Sequence, residues 1–311
     1  MKKIITIVSC LLCTVLFLAS CILHEDGTTS RVDPVGSRFE ILKTSDGTEV
    51  NVKRLCSINA GSGAGEVGCK KIPGEDYCPS NISFAENTDI FVTDCLGSKV
   101  ERFSCDGKYI SGVSLKMNGK PEAVLTYAVY SNGFIYAIFD QSAVCRFDMK
   151  GNGELIAENG NYLMLDVSQK DGRVIVFGWG TTQHITDDGK LEAEYDFKNV
   201  EYEPDPENYL RTASVRYNRD GMDKTYAVNT SYQVDYIGIM NDCLLIRDYD
   251  GEHNVYTAYD KDGAEKFSFY AVTDENVLAP ARAALVYGNK LYVLTCSQEG
   301  AEIYEISAKT K

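Results

Sequence analysis

Residues 79–110 read PSNISFAENTDIFVTDCLGSKVERFSCDGKYI. Three short runs within them alternate as strands do. Ile82-Ser83-Phe84 places apolar side chains at a period of two, Asp89-Ile90-Phe91-Val92-Thr93 is rich in β-branched and aromatic residues, and Val100-Glu101-Arg102-Phe103 alternates again. Leu96-Gly97-Ser98-Lys99 has the composition of a hairpin turn, and Asp106-Gly107 turns the chain into Tyr109-Ile110. The stretch is expected to form one small antiparallel sheet.

Weaker copies follow. Asp89–Asp94 is echoed by Gly133–Ile138, Gly172–Phe177, Asp242–Ile246 and Asn289–Leu294, while Val100–Gly107 returns as Val144–Gly151, His184–Gly189 and Val255–Gly263. The closing glycines fall at 107, 151, 189 and 263, with intervals of 44, 38 and 74; the last is twice 37, so one more unit is expected between 189 and 263. Ala213–Tyr217, Lys224–Val228 and Tyr232-Gln233-Val234 supply strands for it. A sheet of four short strands cannot shield both of its faces, whereas a ring of such sheets covers every face and leaves only short edges. The expected fold is therefore all-β: a β-propeller over residues 37–311 with about six four-stranded blades, near 79–115, 121–160, 162–200, 209–238, 239–274 and 280–308. Arg38-Phe39-Glu40-Ile41-Leu42 is expected to pair with the last blade and close the ring. A β-sandwich or two unrelated β domains are the alternatives. No amphipathic helix is visible after residue 36, which disfavours helical and α/β folds.

With these runs in hand, the first unit resembles an NHL-type repeat of six-bladed propellers. The shared pattern is a proline-led strand (Pro79–Phe84), an apolar strand ending in Thr93-Asp94, the Lys99-Val100-Glu101-Arg102-Phe103 strand and the Asp106-Gly107-Lys108 turn. Ser98 stands where the repeat often has Asn, and later copies keep only the periodicity. Pro73-Gly74-Glu75-Asp76-Tyr77 resembles the lead-in of bacterial propeller lipoproteins. The resemblance implies a fold far more than a function.

The beginning of the chain carries an address. Lys2-Lys3 and the apolar run Ile4–Phe17 read as a signal peptide over residues 1–20, ending in Leu18-Ala19-Ser20-Cys21. That tetrapeptide resembles a bacterial lipobox, which implies a lipid on the Cys21 thiol; an ordinary secretory signal with an incidental cysteine is the alternative. Residues 21–36 read as the lipidated cysteine and a flexible tether. Ile22 rather than Asp follows the cysteine, so an outer membrane is allowed if the source has one. The expected location is the cell envelope, facing outward on a lipid anchor. Cys10-x-x-Cys13 lies in the segment expected to be removed and is set aside as a redox or metal motif.

The 311 residues, 44% hydrophobic and 11% aromatic, suffice for a large core. The formal charge of −14 becomes −16 without Lys2 and Lys3, and such a balance repels phosphate backbones, so no nucleic-acid partner is expected. His24, His184 and His253 stand alone in sequence, and no H-E-x-x-H, P-loop or G-x-S-x-G occurs. Asp248-Tyr249-Asp250-Gly251-Glu252 lacks the register of a calcium loop and reads as a turn. No metal, cofactor or catalytic residue is assigned.

Eight cysteines follow Cys21, and five of them crowd into residues 56–105. A disulfide among Cys56, Cys69 and Cys78 is expected to staple the glycine-rich segment there; Cys145 and Cys243 lie in strands and read as buried thiols. Residues 199–218, NVEYEPDPENYLRTASVRYN, interrupt the repeat with acidic residues, prolines and tyrosines. Tyr202, Tyr209, Tyr217, Glu203 and Asp205 form a candidate partner-binding loop suited to a sugar or a basic peptide, against the plainer reading of a solvated connection. Trp179 is expected in the core or rim. The favoured function is a membrane-anchored, non-enzymatic module that binds a protein, peptide or glycan. The alternative is a metal-dependent hydrolase of the gluconolactonase-like propeller type, which needs Glu, Asn and Asp from different blades to converge on the axis.

Overall fold

The computed structural model describes residues 39–45, 47–72, 75–168, 171–179, 181–193, 199–204, 211–219, 222–230, 235–249, 253–260, 262–272 and 277–310. All belong to the compact unit Arg38–Lys311. Residues 1–37, with the expected leader, Cys21 and tether, lie outside the described residues.

The described residues form strands without helices. β1 (Phe39–Thr44) and β2 (Thr48–Asn59) come first, then a small hairpin of β3 (Lys70–Ile72) and β4 (Glu75–Tyr77). The first four-stranded sheet is β5 (Asn81–Phe84), β6 (Ile90–Asp94), β7 (Lys99–Phe103) and β8 (Tyr109–Ser114). The second is β9 (Leu125–Ser131), β10 (Phe134–Phe139), β11 (Ala143–Phe147) and β12 (Gly153–Ala157); the third is β13 (Tyr162–Val167), β14 (Val174–Gly178), β15 (Thr181–Ile185) and β16 (Leu191–Ala193). A three-stranded sheet follows, β17 (Asn199–Pro204), β18 (Arg211–Arg219) and β19 (Met222–Thr230). Then β20 (Asp235–Met240), β21 (Cys243–Tyr249), β22 (Asn254–Tyr259) and β23 (Glu265–Ala271) form a sheet whose outer edge is extended by β1. The last sheet is β24 (Val277–Tyr287), β25 (Lys290–Ser297) and β26 (Gly300–Thr310), completed by β2.

The chain is thus an all-β propeller with five blades of four or five strands, not six of four. The expected fourth unit is the exception: long β18 and β19 strands pair along nine residues, Arg211 to Arg219, and among the described residues no fourth strand joins them. Closure also differs from expectation. Phe39 and its neighbours pair with β23, Phe39 opposite Ala271, and it is β2 that completes the last blade, from Thr48 opposite Thr310 to Asn59 opposite Gly300. The alternation in Arg38–Leu42 marks a strand but carries no record of which distant edge accepts it.

The repeat glycines have a local cause. Gly107, Gly151, Gly189 and Gly263 all adopt positive φ, between 78° and 85°, in the turn joining the last two strands of a blade. In each, the glycine N–H donates to the carbonyl three residues back (Ser104, Asp148, Thr186 or Asp260), at 2.8–3.0 Å. A side chain is strained at that φ, so the turn retains glycine after the strand sequences diverge.

The core lies between blades. One apolar cluster joins the first blade to the second through Phe91, Leu115, Ala128 and Phe139; another joins the second to the third through Ile138, Val144, Leu165 and Val176. The last blade packs on the first through Ile303, Leu294, Val92 and Phe103, and on the preceding blade through Ile306, Val293, Phe269 and Tyr256. The first, second and last blades therefore bury both faces against neighbours, the physical condition that favours stacking blades over a single exposed sheet. Phe91 illustrates the seam: it is 1% exposed, stacks on Tyr130 of β9 at 4.1 Å between ring centroids, and lies beneath the Arg102 guanidinium.

Candidate functional site

The first strands of the blades, β5, β9, β13, β20 and β24, line a cavity of about 470 Å³, within the size range of small-ligand pockets. Its wall carries three carboxylates, Glu86, Asp166 and Asp171, together with the amides of Asn81 and Asn132 and the ring of Tyr130. Leu285, Val286 and Tyr287 of β24 and Ile237 of β20 add an apolar side. No lysine, arginine or histidine occurs among the lining residues.

Part of this polarity serves the scaffold. Asn81 donates to the Ala128 carbonyl at 3.2 Å, the Ser83 hydroxyl accepts from the Tyr130 N–H at 2.9 Å, and Ser131 donates to the Gly172 carbonyl. Tyr287 stacks on Phe84 at 4.9 Å and donates to the Ala85 carbonyl at 3.0 Å. These bonds tie β5 to β9, β9 to the turn after β13, and β24 to β5, which fixes the spacing of the inner strands with groups that also edge the cavity. Asp166 accepts only its neighbour's N–H, from Val167 at 2.8 Å, among the bonds described. Burial pushes the Asp171 carboxyl upward, but hydrogen bonds from Ser168 and Arg173 outweigh it and hold the group below the ordinary carboxylate range. Glu86 is exposed at the mouth. The cavity thus presents acceptors, and an anionic ligand would meet repulsion.

The segment leading into this wall is held by a buried ionic cluster. Lys99, on β7, spends all three ammonium protons: on the Gly63 carbonyl and the Glu66 carbonyl, each at 2.8 Å, and on the Glu101 carboxylate. Asp94, fully buried and 4.0 Å from Lys99, accepts the N–H groups of Gly68 and Gly97 at 3.0 and 2.9 Å. Residues 61–68, which carry too little apolar pattern to hold themselves, are thereby fastened to the first blade. The Thr93-Asp94 pair was visible in the sequence as a strand end, but its partners in a loop almost thirty residues earlier were not.

The structure places the remaining candidates as follows. Cys56, Cys69 and Cys78 are present as thiols in or against one apolar cluster between the last and first blades. Residues 199–204 and 211–218 are strand rather than open loop: Tyr202 is opposite Ala213, Glu203 opposite Thr212 and Tyr217 opposite Lys224, which corrects the loop reading. Asp205 and Tyr209 lie outside the described residues. Trp179 is 72% exposed at the turn after β14, so it is not a core residue. His184 lies on β15, 4.0 Å from Glu192, and His253 packs on Tyr270 at 4.2 Å. Among the described residues no group of three His, Cys, Asp or Glu side chains is placed to hold a metal ion.

No protein-family model matches the chain, and no curated protein matches it. Solved structures do. A PQQ-bound aldose sugar dehydrogenase from Streptomyces coelicolor is 13% identical, with a TM-score of 0.50, covering 84% of this chain and 99% of its own. Virginiamycin B lyase from Staphylococcus aureus is 12% identical with a TM-score of 0.47, covering 83% and 99%. The WD40 β-propeller domain of Doa1 is 12% identical with a TM-score of 0.44, covering 82% and 97%. At such identities the likeness extends to the propeller fold and no further.

Proposed function

We propose that the chain is an exported propeller, anchored to a bacterial envelope through a lipid on Cys21, that binds a neutral or cationic ligand in the cavity between its inner strands. Glycans and basic peptide segments are the ligand classes that fit. The observation that carries this reading is the cavity wall: three carboxylates, two amides and tyrosine rings, with no basic side chain among the lining residues. Carboxylates and amides bind hydroxyl or ammonium groups, and tyrosine faces accept the apolar side of a sugar or a cation. A non-enzymatic module of the NHL type is the preferred form.

The test is binding of the full chain to a panel of soluble glycans and basic peptides, measured by calorimetry for wild type, Asp166→Asn and Glu86→Gln. A ligand of this class should bind wild type and weaken at least about tenfold in either variant, the cost of one charge-assisted hydrogen bond. Equal binding by the variants moves the site elsewhere, with Tyr202, Tyr209 and Tyr217, alongside Glu203 and Asp205, next in line. The address is tested separately: Cys21→Ala should abolish labelling by a fatty-acid analogue.

The second reading, a metal-dependent hydrolase of the gluconolactonase-like type, draws support from Glu86, Asn132 and Asp166 reaching one cavity from three blades. Hydrolysis of a lactone that depends on added divalent metal and is lost in Asp166→Asn would favour it over the binding module.

A further inference from the structure

We infer that Cys69 and Cys78, which stand as thiols in this structure, are oxidised in the exported chain to a disulfide that closes the β3–β4 hairpin at its base. The hairpin register pairs Ile72 with Glu75, Lys71 with Asp76 and Lys70 with Tyr77. Continued one step past its last pair, this register sets Cys69 opposite Cys78. Directly opposed residues of an antiparallel pair stand about 4.5 or 5.5 Å apart at Cα, and both spacings lie within the roughly 4.4–6.8 Å that a disulfide spans. Cys78 is buried, Cys69 is half-buried, and both belong to the apolar layer between the last and first blades. Burial pushes the Cys69 thiol up to about 12, and the nearby Cys78 thiol adds to the shift, as expected of two sulfurs at short range. Cys56 shares the layer but is a poor third choice: its register partner is Ile303 of β26.

The step is a thiol–disulfide exchange with a disulfide donor, the oxidant class that an exported chain meets. One cysteine thiolate attacks the donor disulfide, a mixed disulfide forms and one donor thiolate leaves. The second cysteine thiolate then displaces the other donor thiolate. Two electrons and two protons pass from the cysteines to the donor, which ends as two thiols. Because burial disfavours the Cys69 thiolate, the bond forms before the hairpin is packed and is shielded from reductant afterwards. It clamps a segment with Gly68, bonded to Asp94, on one side and Asn81 of the cavity wall on the other.

The experiment denatures the full reduced chain, refolds it in a mixture of oxidised and reduced glutathione, blocks remaining thiols with iodoacetamide and maps by mass spectrometry unreduced peptides cut by trypsin and by a glutamate-specific protease, which separates Cys56 from Cys69 at Glu66. This tests the pairing whether or not the chain is exported in its source. The expected result is a linked Cys69–Cys78 peptide, 2 Da lighter than its reduced parts, with Cys56 alkylated. The oxidised chain should also melt roughly 5 °C above the reduced one, and Cys69→Ser and Cys78→Ser should each melt like reduced wild type without responding to reductant. Alkylation of Cys69 and Cys78 in the refolded chain before reduction overturns the pairing, as does a link from either to Cys56.

Discussion

Replacing Lys99 by methionine is the sharpest probe of how the glycine-rich segment is held. The Lys99 side chain is 13% exposed, and its ammonium faces the side chains of Glu101, 2% exposed, and Asp94, fully buried. Methionine retains most of the volume but removes three donated hydrogen bonds, two of them to carbonyls of residues 63 and 66. Asp94 retains two amide donors, whereas Glu101 loses its only cationic partner among the described residues and keeps just the nearby Tyr109 hydroxyl. Removing one member of a buried ion pair costs about 3–5 kcal/mol, because the surviving charge is neither solvated nor paired. For a body of this size that is a fall in Tm of roughly 10 °C, read by circular dichroism or calorimetry. The double variant Lys99→Met/Glu101→Leu removes both charges and should recover more than half of the loss, since an apolar pair of similar volume has no ion to desolvate. A Lys99→Met variant that melts within about 2 °C of wild type would refute the argument, as would a double variant no more stable than the single one.

Three further outcomes are expected. Phe91→Ala should cost about 3–5 kcal/mol in urea unfolding, and a double-mutant cycle with Tyr130→Ala should return a coupling of roughly 0.5–1.5 kcal/mol from the stacked pair between blades; a zero coupling would mean that the seam is held by area alone. Gly300→Ala should destabilise by about 3 kcal/mol or more, because φ is 145° and a Cβ would lie 1.9 Å from the Ile58 carbonyl oxygen, measurable as faster proteolysis at β2. The Asp106 carboxyl, lowered to about 2 by hydrogen bonds from Lys108 and then Ser104, should titrate near that value by NMR and move up in Lys108→Ala. Since the folded value lies below the unfolded one, any stability from this contact is present above the ordinary carboxylate range and is lost as pH falls toward 2.

What the sequence discloses here is what local chemistry controls. The glycines at 107, 151, 189 and 263 fix a backbone angle that few other residues tolerate, so their spacing reports the blades even where the strands have drifted apart. Pairing across distance leaves no such mark. Phe39–Leu42 alternates as an edge strand should, but an edge strand fits many edges, and the partner proved to be β23 rather than the last blade. Pro204, Pro206 and the acidic run around them resemble a loop, yet Asn199–Pro204 pairs with β18 throughout its length, a case of tertiary pairing overriding composition. The cavity was foreseeable as a convergence of inner strands. Its carboxylates were not, because Asp166 and Asp171 resemble any strand-end or turn aspartate until the blades are set side by side.

The last blade borrows its outer strand from the other end of the molecule: β2 lies beside β26 over eleven matched positions. A ribosome or a secretion channel delivers Thr48–Asn59 long before Gly300–Thr310 exists, so this early strand must wait, its edge unclaimed, until nearly all the rest has arrived. Contacts that distant are slow to form, and a late lock keeps the polypeptide loose while it is still being threaded. A nonsense codon anywhere before position 300 would therefore leave more than a short tail missing: it would strand the opening segment as well, and quality control would meet a ring with both of its loose ends showing.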